Sequence, residues 1–183
     1  IIEGNALRVN WEDLVPREKL SYIIGNPPFV GARLMSKEQK SDLLDVFGAK
    51  WKNAGNLDFV SCWYKKAADL MKGSNIRTSL VSTNSVSQGE SVAILWKPLF
   101  EDGVHIDYAY RTFRWDSEAS IKAHVHCVII GFSIAPWHKP KIIYSSERPI
   151  IANNINAYLL DADNIFVESR TNPLCDIPKI GIG

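Results

Sequence analysis

The residues best suited to chemistry form the tetrapeptide Asn26-Pro27-Pro28-Phe29, which follows the apolar run Tyr22-Ile23-Ile24-Gly25. Two consecutive prolines fix φ and remove two backbone donors, so their carbonyls are not consumed by a regular turn. A residue before proline is pushed out of the helical region, which makes Asn26 extended. The sequence therefore predicts a stiff corner that presents an amide, carbonyl oxygens and an aromatic face together. Such a corner suits an exocyclic amine on a flat ring, because two acceptors can bind its N–H groups while the phenyl ring stacks on its face.

Alternating strands and helices must position this corner. Residues 21–25 form a short continuous apolar run, which is typical of a strand covered on both faces, and residues 76–83 are predicted as the next buried strand. Helices are predicted from their apolar spacing and their start and stop signals. The predicted helices are 36–47, from a capping box at Ser36 to Gly48; 57–72, with Asp58 in the first turn; and 90–97, limited by Pro98.

The next part of the chain is predicted to contain two strands without a helix between them. Alternation and β-branched residues predict strands at 104–110 and 124–132, with 111–123 as a loop, so we expect an antiparallel pair at one edge of the sheet. Strands alternating with helices over residues 1–110 predict an α/β fold with a parallel, doubly wound sheet. Beyond Pro136 the chain has short strands and more Pro and Asn, which predicts a boundary near 136–145.

Composition sets limits on the class of protein. The 183 residues are 46% apolar and 22% charged, as in a packed domain, and no apolar run is long enough to cross a bilayer. The net charge of +1 gives no support for a nucleic-acid partner.

Three widely spaced cysteines, Cys62, Cys127 and Cys175, predict reduced thiols in a cytoplasmic setting. His124 and His126 share one strand face without a third ligand nearby, so we expect no metal site.

The tetrapeptide resembles the (Asn/Asp/Ser)-Pro-Pro-(Tyr/Phe) motif of amino-methyltransferases that use S-adenosylmethionine, in which a first Asn is typical of adenine N6 methylation. Several separated stretches are also similar to single-chain restriction–modification enzymes of the MmeI type. Those stretches are Gly25-Asn26-Pro27-Pro28-Phe29-Val30-Gly31, Gly55-Asn56-Leu57-Asp58-Phe59-Val60, Thr112-Phe113-Arg114-Trp115-Asp116 and His124-Val125-His126-Cys127-Val128-Ile129-Ile130-Gly131. The resemblance implies the C-terminal portion of a Rossmann-like methyltransferase sheet, mostly parallel with its last strand antiparallel, followed by a short mixed segment.

The resemblance also implies roles for individual residues. The catalytic set is Asn26, Pro27, Pro28 and Phe29: the Asn26 side-chain oxygen and the Pro27 carbonyl accept the two N6 hydrogens of an adenine flipped out of double-stranded DNA. Phe29 stacks on one face of that adenine. Asn5 stands where relatives usually have an Asp that contacts the adenine of S-adenosylmethionine.

The aromatic loop supplies the remaining candidates. Either Phe113 or Trp115 is expected to close the other face of the base, and packing under the loop is the alternative for each. Arg111, Arg114 and Lys122 flank these aromatics as candidate phosphate contacts, with solvent as the alternative.

The predicted division is a partial catalytic domain at 1–140, without the glycine-rich loop that cradles the cofactor, and a linker with the start of a target-recognition region at 141–183. By itself this segment is expected to be inactive. Three alternatives remain open from the sequence: a nucleic-acid-binding module without activity, a methyltransferase for RNA guanine or a protein glutamine amide, and an unrelated α/β protein with structural prolines.

Overall fold

The computed structural model describes residues 1–115, 125–145 and 148–170. Within these ranges one sheet has the strand order β1-β2-β4-β3-β5-β6. The strands are β1 (Tyr22–Gly25), β2 (Arg77–Thr83), β3 (His105–Trp115), β4 (Val125–Ser133), β5 (Lys141–Tyr144) and β6 (Ile150–Ala152). The helices are α1 (Trp11–Leu14), α2 (Lys37–Phe47), α3 (Ser61–Met71) and α4 (Glu90–Glu101), with short 3-10 turns at Arg17–Lys19, Ala54–Asn56 and Asn84–Ser87.

Strand directions confirm the predicted α/β class with a mostly parallel sheet. β1 is parallel to β2, and β5 is parallel to β3. β4 is antiparallel to both of its neighbours, β2 and β3, and β6 is antiparallel to β5. The strands β1, β2, β3 and β5 therefore run in the same direction. The prediction that β3 and β4 form an antiparallel pair is confirmed. Their predicted place at the sheet edge is wrong, because β4 is inserted beside β2 while β5 and β6 add to the far side of β3.

Aromatic side chains fix the helices onto one face of this sheet. Tyr64 of α3 stacks on Phe132 of β4 at a centroid distance of 5.1 Å and meets Trp96 of α4 edge-on at 5.3 Å. All three side chains are fully buried. The Tyr64 hydroxyl bonds to the Ser82 hydroxyl of β2 at 2.7 Å, which gives this buried polar atom its partner. The core thus locks α3 and α4 against the central strands.

The predicted bounds of α2 are confirmed, because local capping decides them, whereas the predicted start of α3 is wrong. α2 has the full capping box between Ser36 and Gln39, and Gly48 ends it with a positive φ of 70°. α3 begins at Ser61 rather than at residue 57, and Asp58, predicted in its first turn, lies before the helix. There the Asp58 carboxylate accepts a hydrogen bond from the Ala32 amide at 3.0 Å.

α4 contradicts the prediction that Pro98 ends it. The helix runs through Pro98 to Glu101. Pro98 has no N–H to give to the carbonyl four residues earlier, that of Ile94. The indole Nε1 of Trp51 donates to this carbonyl at 2.8 Å, so the lost helical bond is replaced from a distant part of the chain.

β3 is longer than predicted and includes residues 111–115, which were expected to be loop. A bulge between Tyr110 and Phe113 inserts one extra residue against β4. Predictions on Lys122, His124 and Cys175 lie outside the described residues. Cys62 and Cys127 are free thiols as predicted; both are buried, and burial raises the pKa of Cys62 to about 12. In the described ranges, no helix is long and apolar enough to span a membrane.

Candidate active site

The tetrapeptide Asn26-Pro27-Pro28-Phe29 begins where β1 ends, at the carboxyl edge of the sheet. Pro27 is buried, while Asn26 and Pro28 are exposed. Phe29 is half-buried and packs against the hydrophobic core. Among the described residues, no hydrogen bond is formed by the Asn26 side chain or the Pro27 carbonyl. The corner therefore presents two unused acceptors beside a partly exposed ring.

The residues that follow the corner are held by the segment before α3. The Val30 carbonyl accepts from the Phe59 amide at 2.9 Å, and the Ala32 amide donates to the Asp58 carboxylate at 3.0 Å. Behind the corner, Gly25 of β1 pairs with Leu80 of β2. The corner is thus fixed on both sides, which keeps its acceptors in one orientation.

Phe113 lies at the same edge of the sheet as the corner. Both are at this edge because β1, β2 and β3 run in one direction, so their carboxyl ends lie together. Its cross-strand partner is Cys127, which in turn pairs with Thr83 of β2. Three strand spacings, roughly 14 Å, separate β1 from β3, with β2 and β4 between them, so the corner and Phe113 lie at the same edge of the sheet. Phe113 is half-buried and meets Tyr110 edge-on at 5.4 Å.

The neighbours of Phe113 are placed less completely. Trp115 pairs through its backbone with Val125, and its side chain lies outside the described residues. Arg111 and Arg114 are exposed at this end of β3, and Arg114 is opposite His126. The choice between Phe113 and Trp115 stays a prediction.

Asn5 is placed in a tight turn against α2, and its side chain is engaged there. Its Oδ1 accepts from the Leu7 amide at 2.9 Å, and its Nδ2 donates to Asp42 at 2.9 Å. The Arg8 guanidinium donates to the same carboxylate at 2.7 Å. This bond from Arg8 holds the pKa of the buried Asp42 carboxyl below its usual range. One N–H and one lone pair of the Asn5 amide remain for a ligand.

Lys66 of α3 fixes the rest of this turn. Its ammonium donates to the carbonyls of Leu7 at 2.9 Å and Val9 at 2.7 Å. It also lies 5.4 Å from the centre of the Trp11 ring, a cation–π distance. Partial burial lowers the pKa of Lys66. The segment around Asn5 is therefore tied to both α2 and α3.

Asn84 lies at the same edge of the sheet as the corner and was not among the residues predicted from the sequence. It directly follows β2, is half-buried, and accepts from the Thr112 hydroxyl of β3 at 3.4 Å through its Oδ1. This contact links the ends of β2 and β3 across β4. A signal was present, because the polar run Ser82-Thr83-Asn84-Ser85 stands at the carboxyl end of a strand, where sites of open α/β sheets form.

Comparisons with known proteins agree with this arrangement. A family model described as "MmeI, DNA-methyltransferase domain" matches residues 1–145. DNA methyltransferase A of Bacillus subtilis (strain 168) is 41% identical over 182 residues, covering 98% of this chain and 21% of that protein. The Type IIL restriction-modification enzyme MmeI, solved in complex with DNA, superposes with a TM-score of 0.90 at 44% identity, over 97% of this chain and 24% of that one.

A more distant structure bears on the fold alone. The type I restriction-modification methyltransferase subunit from Streptococcus thermophilus gives a TM-score of 0.50 at 16% identity, over 82% of this chain and 32% of that one. The chain spans a quarter or less of the length of DNA methyltransferase A and of MmeI. The resemblance carried by the tetrapeptide and the stretches around it is confirmed: this chain belongs to the MmeI DNA-methyltransferase domain family.

Proposed function

We propose that the protein containing this chain transfers a methyl group from S-adenosylmethionine to N6 of an adenine flipped out of double-stranded DNA, within a restriction–modification system. Membership of a DNA-methyltransferase family supports the reaction class. The observation that carries the adenine assignment is the corner itself. It offers an exposed Asn26 amide oxygen, an unused Pro27 carbonyl and the Phe29 ring at one place.

These three groups match the chemistry of an aromatic amine. The Asn26 oxygen and the Pro27 carbonyl accept one N6 hydrogen each, which draws the nitrogen lone pair out of conjugation with the purine ring. Phe29 stacks on the base, a contact worth about 1–3 kcal/mol. S-adenosylmethionine supplies an electrophilic methyl group when bound. The corner would hold N6 in one orientation for that methyl group, and such positioning is the main catalytic effect that these residues supply.

A covalent intermediate on the protein is not needed for this reaction. With S-adenosylmethionine bound, its methyl group would pass directly to N6 with loss of the carbon–sulfur bond, and the proton released from N6 would leave to solvent water while the Asn26 oxygen and the Pro27 carbonyl hold the amine. Burial raises the pKa of the Cys62 thiol to about 12, which disfavours the thiolate form that a nucleophilic cysteine needs.

Asn5 is the residue of this chain that we assign to the adenine of the cofactor. Its side chain is exposed, and one N–H and one lone pair are left after its bonds to Asp42 and Leu7. A donor and an acceptor side by side suit the edge of an adenine, which has an amine next to a ring nitrogen. The turn therefore fits the cofactor, with the amide oriented in advance by Asp42.

The proposed DNA partner uses the same edge of the sheet. MmeI was solved in complex with DNA, and this chain is similar to it over almost its whole length. Arg111 and Arg114 are exposed at the same edge of the sheet, where they can contact phosphates of a duplex whose base has been flipped. Residues 141–183 are proposed as the linker and the start of a target-recognition region.

The test is product analysis with the full-length protein. Plasmid DNA is incubated with the protein and S-adenosylmethionine carrying a labelled methyl group, then digested to nucleosides and analysed by mass spectrometry. We expect the label in N6-methyladenine. Label in N4-methylcytosine, in added RNA or in protein would overturn the adenine assignment. Calorimetric titration of the 183-residue chain with S-adenosylmethionine measures whether this part of the protein binds the cofactor by itself.

A further inference from the structure

Asn84 follows β2, the strand next to β1, and lies farther than the corner along the carboxyl direction of the strands. β1 ends at Gly25, opposite Leu80, while β2 continues to Thr83 and only then reaches Asn84. The strand spacing of about 4.8 Å and the rise of about 3.3 Å per residue place the Cα atoms of Asn26 and Asn84 on the order of 11 Å apart. Two asparagine side chains and the edge of one base together span such a gap.

The backbone of Asn84 is held firmly at this position. Its carbonyl accepts from the Ser87 hydroxyl at 3.1 Å, which closes the short turn Asn84–Ser87. The next carbonyl but one, that of Val86, accepts from the buried Trp96 indole at 2.7 Å. Thr83 is paired with Cys127 in the sheet. The Asn84 side chain thus projects from a fixed base, as a residue that orients a substrate must.

The polar atoms of Asn84 are only partly used. Oδ1 faces β3, where it accepts from Thr112 at 3.4 Å. β3 lies on the side of β2 away from β1. In the described part of the chain, Nδ2 has no acceptor. Within these ranges, a half-buried amide donor is therefore left unused at the carboxyl end of β2, the strand next to the one from which the corner begins.

We propose that Asn84 is a specificity-determining residue whose Nδ2 donates a hydrogen bond to ring nitrogen N1 of the flipped base. The inference rests on the proposed function. With N6 held by Asn26 and Pro27, N1 is the adjacent atom on the Watson–Crick edge of adenine, and it is an acceptor. Guanine has a hydrogen on N1 and an oxygen in place of the amine, so the three groups together reject it. Reading a flipped base by its Watson–Crick edge is the usual source of such selectivity.

The test compares adenine with 1-deazaadenine, in which N1 is replaced by C–H and the amine is retained. The target site is first located by mapping N6-methyladenine in DNA methylated by the full-length protein, and duplexes carrying either base are then made. For wild type, kcat/KM should fall about tenfold on 1-deazaadenine, as expected for one lost hydrogen bond in a closed site. Asn84→Ala should fall about tenfold on adenine and show no further loss on 1-deazaadenine.

Two further variants keep the experiment decisive. Asn84→Asp retains the size of the side chain and the acceptor for Thr112 but has no donor, so it should also lose discrimination between the two bases. Asn75→Ala changes the same residue type at the opposite end of β2, where it is exposed, and should behave as wild type. The proposal is overturned if the Asn84 variants still lose about tenfold on 1-deazaadenine, since they then act through structure alone. Absence of any methylation by wild type would instead overturn the proposed function.

Discussion

Two asparagines of this chain, Asn26 and Asn5, differ in whether their side-chain amides are hydrogen-bonded. Asn26 is exposed, and within the described residues its amide has no partner. Asn5 is also exposed, yet its amide binds the Leu7 backbone on one side and the Asp42 carboxylate on the other. Residue type and exposure are thus equal at the two positions. What differs is whether the fold has already used the polar atoms.

The residues after each asparagine explain the difference. An Asn side chain readily accepts from the backbone N–H two residues later, and Asn5 does so with Leu7 at 2.9 Å. At the corresponding position after Asn26 stands Pro28, and the residue between them is Pro27, so neither has an N–H to offer. The prolines therefore keep the Asn26 oxygen free for a ligand. Their role goes beyond stiffening the corner.

The largest expected effect is on catalysis by Asn26→Ala. Since one of two acceptors for N6 is removed, kcat/KM for DNA methylation should fall more than about a hundredfold, the usual loss for one preorganised polar contact in a transition state. The free energy of unfolding should stay the same, because this side chain has no partner to lose. Labelled-methyl transfer and urea unfolding of the full-length protein give the two values. A loss below about tenfold would mean that the amide is not an acceptor for the reacting amine.

At the other asparagine, the large effect is expected on stability, through Asp42→Asn. Loss of the carboxylate that binds both Arg8 and Asn5 should lower the free energy of unfolding at pH 7. The pKa of Asp42 is held below its usual value by the Arg8 bond. Its stabilisation is therefore complete above about pH 4 and is lost as pH falls through the folded pKa. Urea unfolding of both proteins at pH 7 and pH 3 should show the gap narrowing at pH 3, and an equal gap at both pH values would contradict this origin.

Local signals in the sequence were enough for some of the fold and some of the site. The capping box at Ser36 and the stop at Gly48 define α2 because all partners lie within a few residues. The free state of Asn26 follows from its two prolines in the same way. Both features depend on neighbours along the chain.

Distant partners decided what the sequence could not predict. α4 continues through Pro98 because Trp51, 43 residues before Ile94, supplies the missing donor. Asn5 is engaged because Asp42, 37 residues away, reaches its amide. The extra length of β3 and the place of Asn84 beside Thr112 depend on which strands pair in the sheet. Single-sequence patterns contain no information on such pairs.

Pro28→Ala tests the proposed cause of the difference between the two asparagines. Pro28 is exposed, so alanine fits without a clash, and it adds an N–H two residues after Asn26. That N–H can capture the Asn26 oxygen as Leu7 captures that of Asn5. We expect kcat/KM to fall about tenfold, with a free energy of unfolding within about 0.5 kcal/mol of wild type. Unchanged methylation would show that the prolines act only by fixing the backbone.

The smallest effect is expected from Asn5→Ala, the counterpart of Asn26→Ala. It removes one turn bond and one of the two partners of Asp42, so the free energy of unfolding should fall by about 1 kcal/mol. If the remaining N–H and lone pair of Asn5 bind the cofactor, KM for S-adenosylmethionine should rise several-fold while kcat changes little. Asn75→Ala, at an exposed loop position, serves as the control for both values. The proposed difference between the two asparagines would be contradicted if Asn5→Ala abolished kcat without lowering the free energy of unfolding. The Asn5 amide would then act in catalysis, as is proposed for the Asn26 amide.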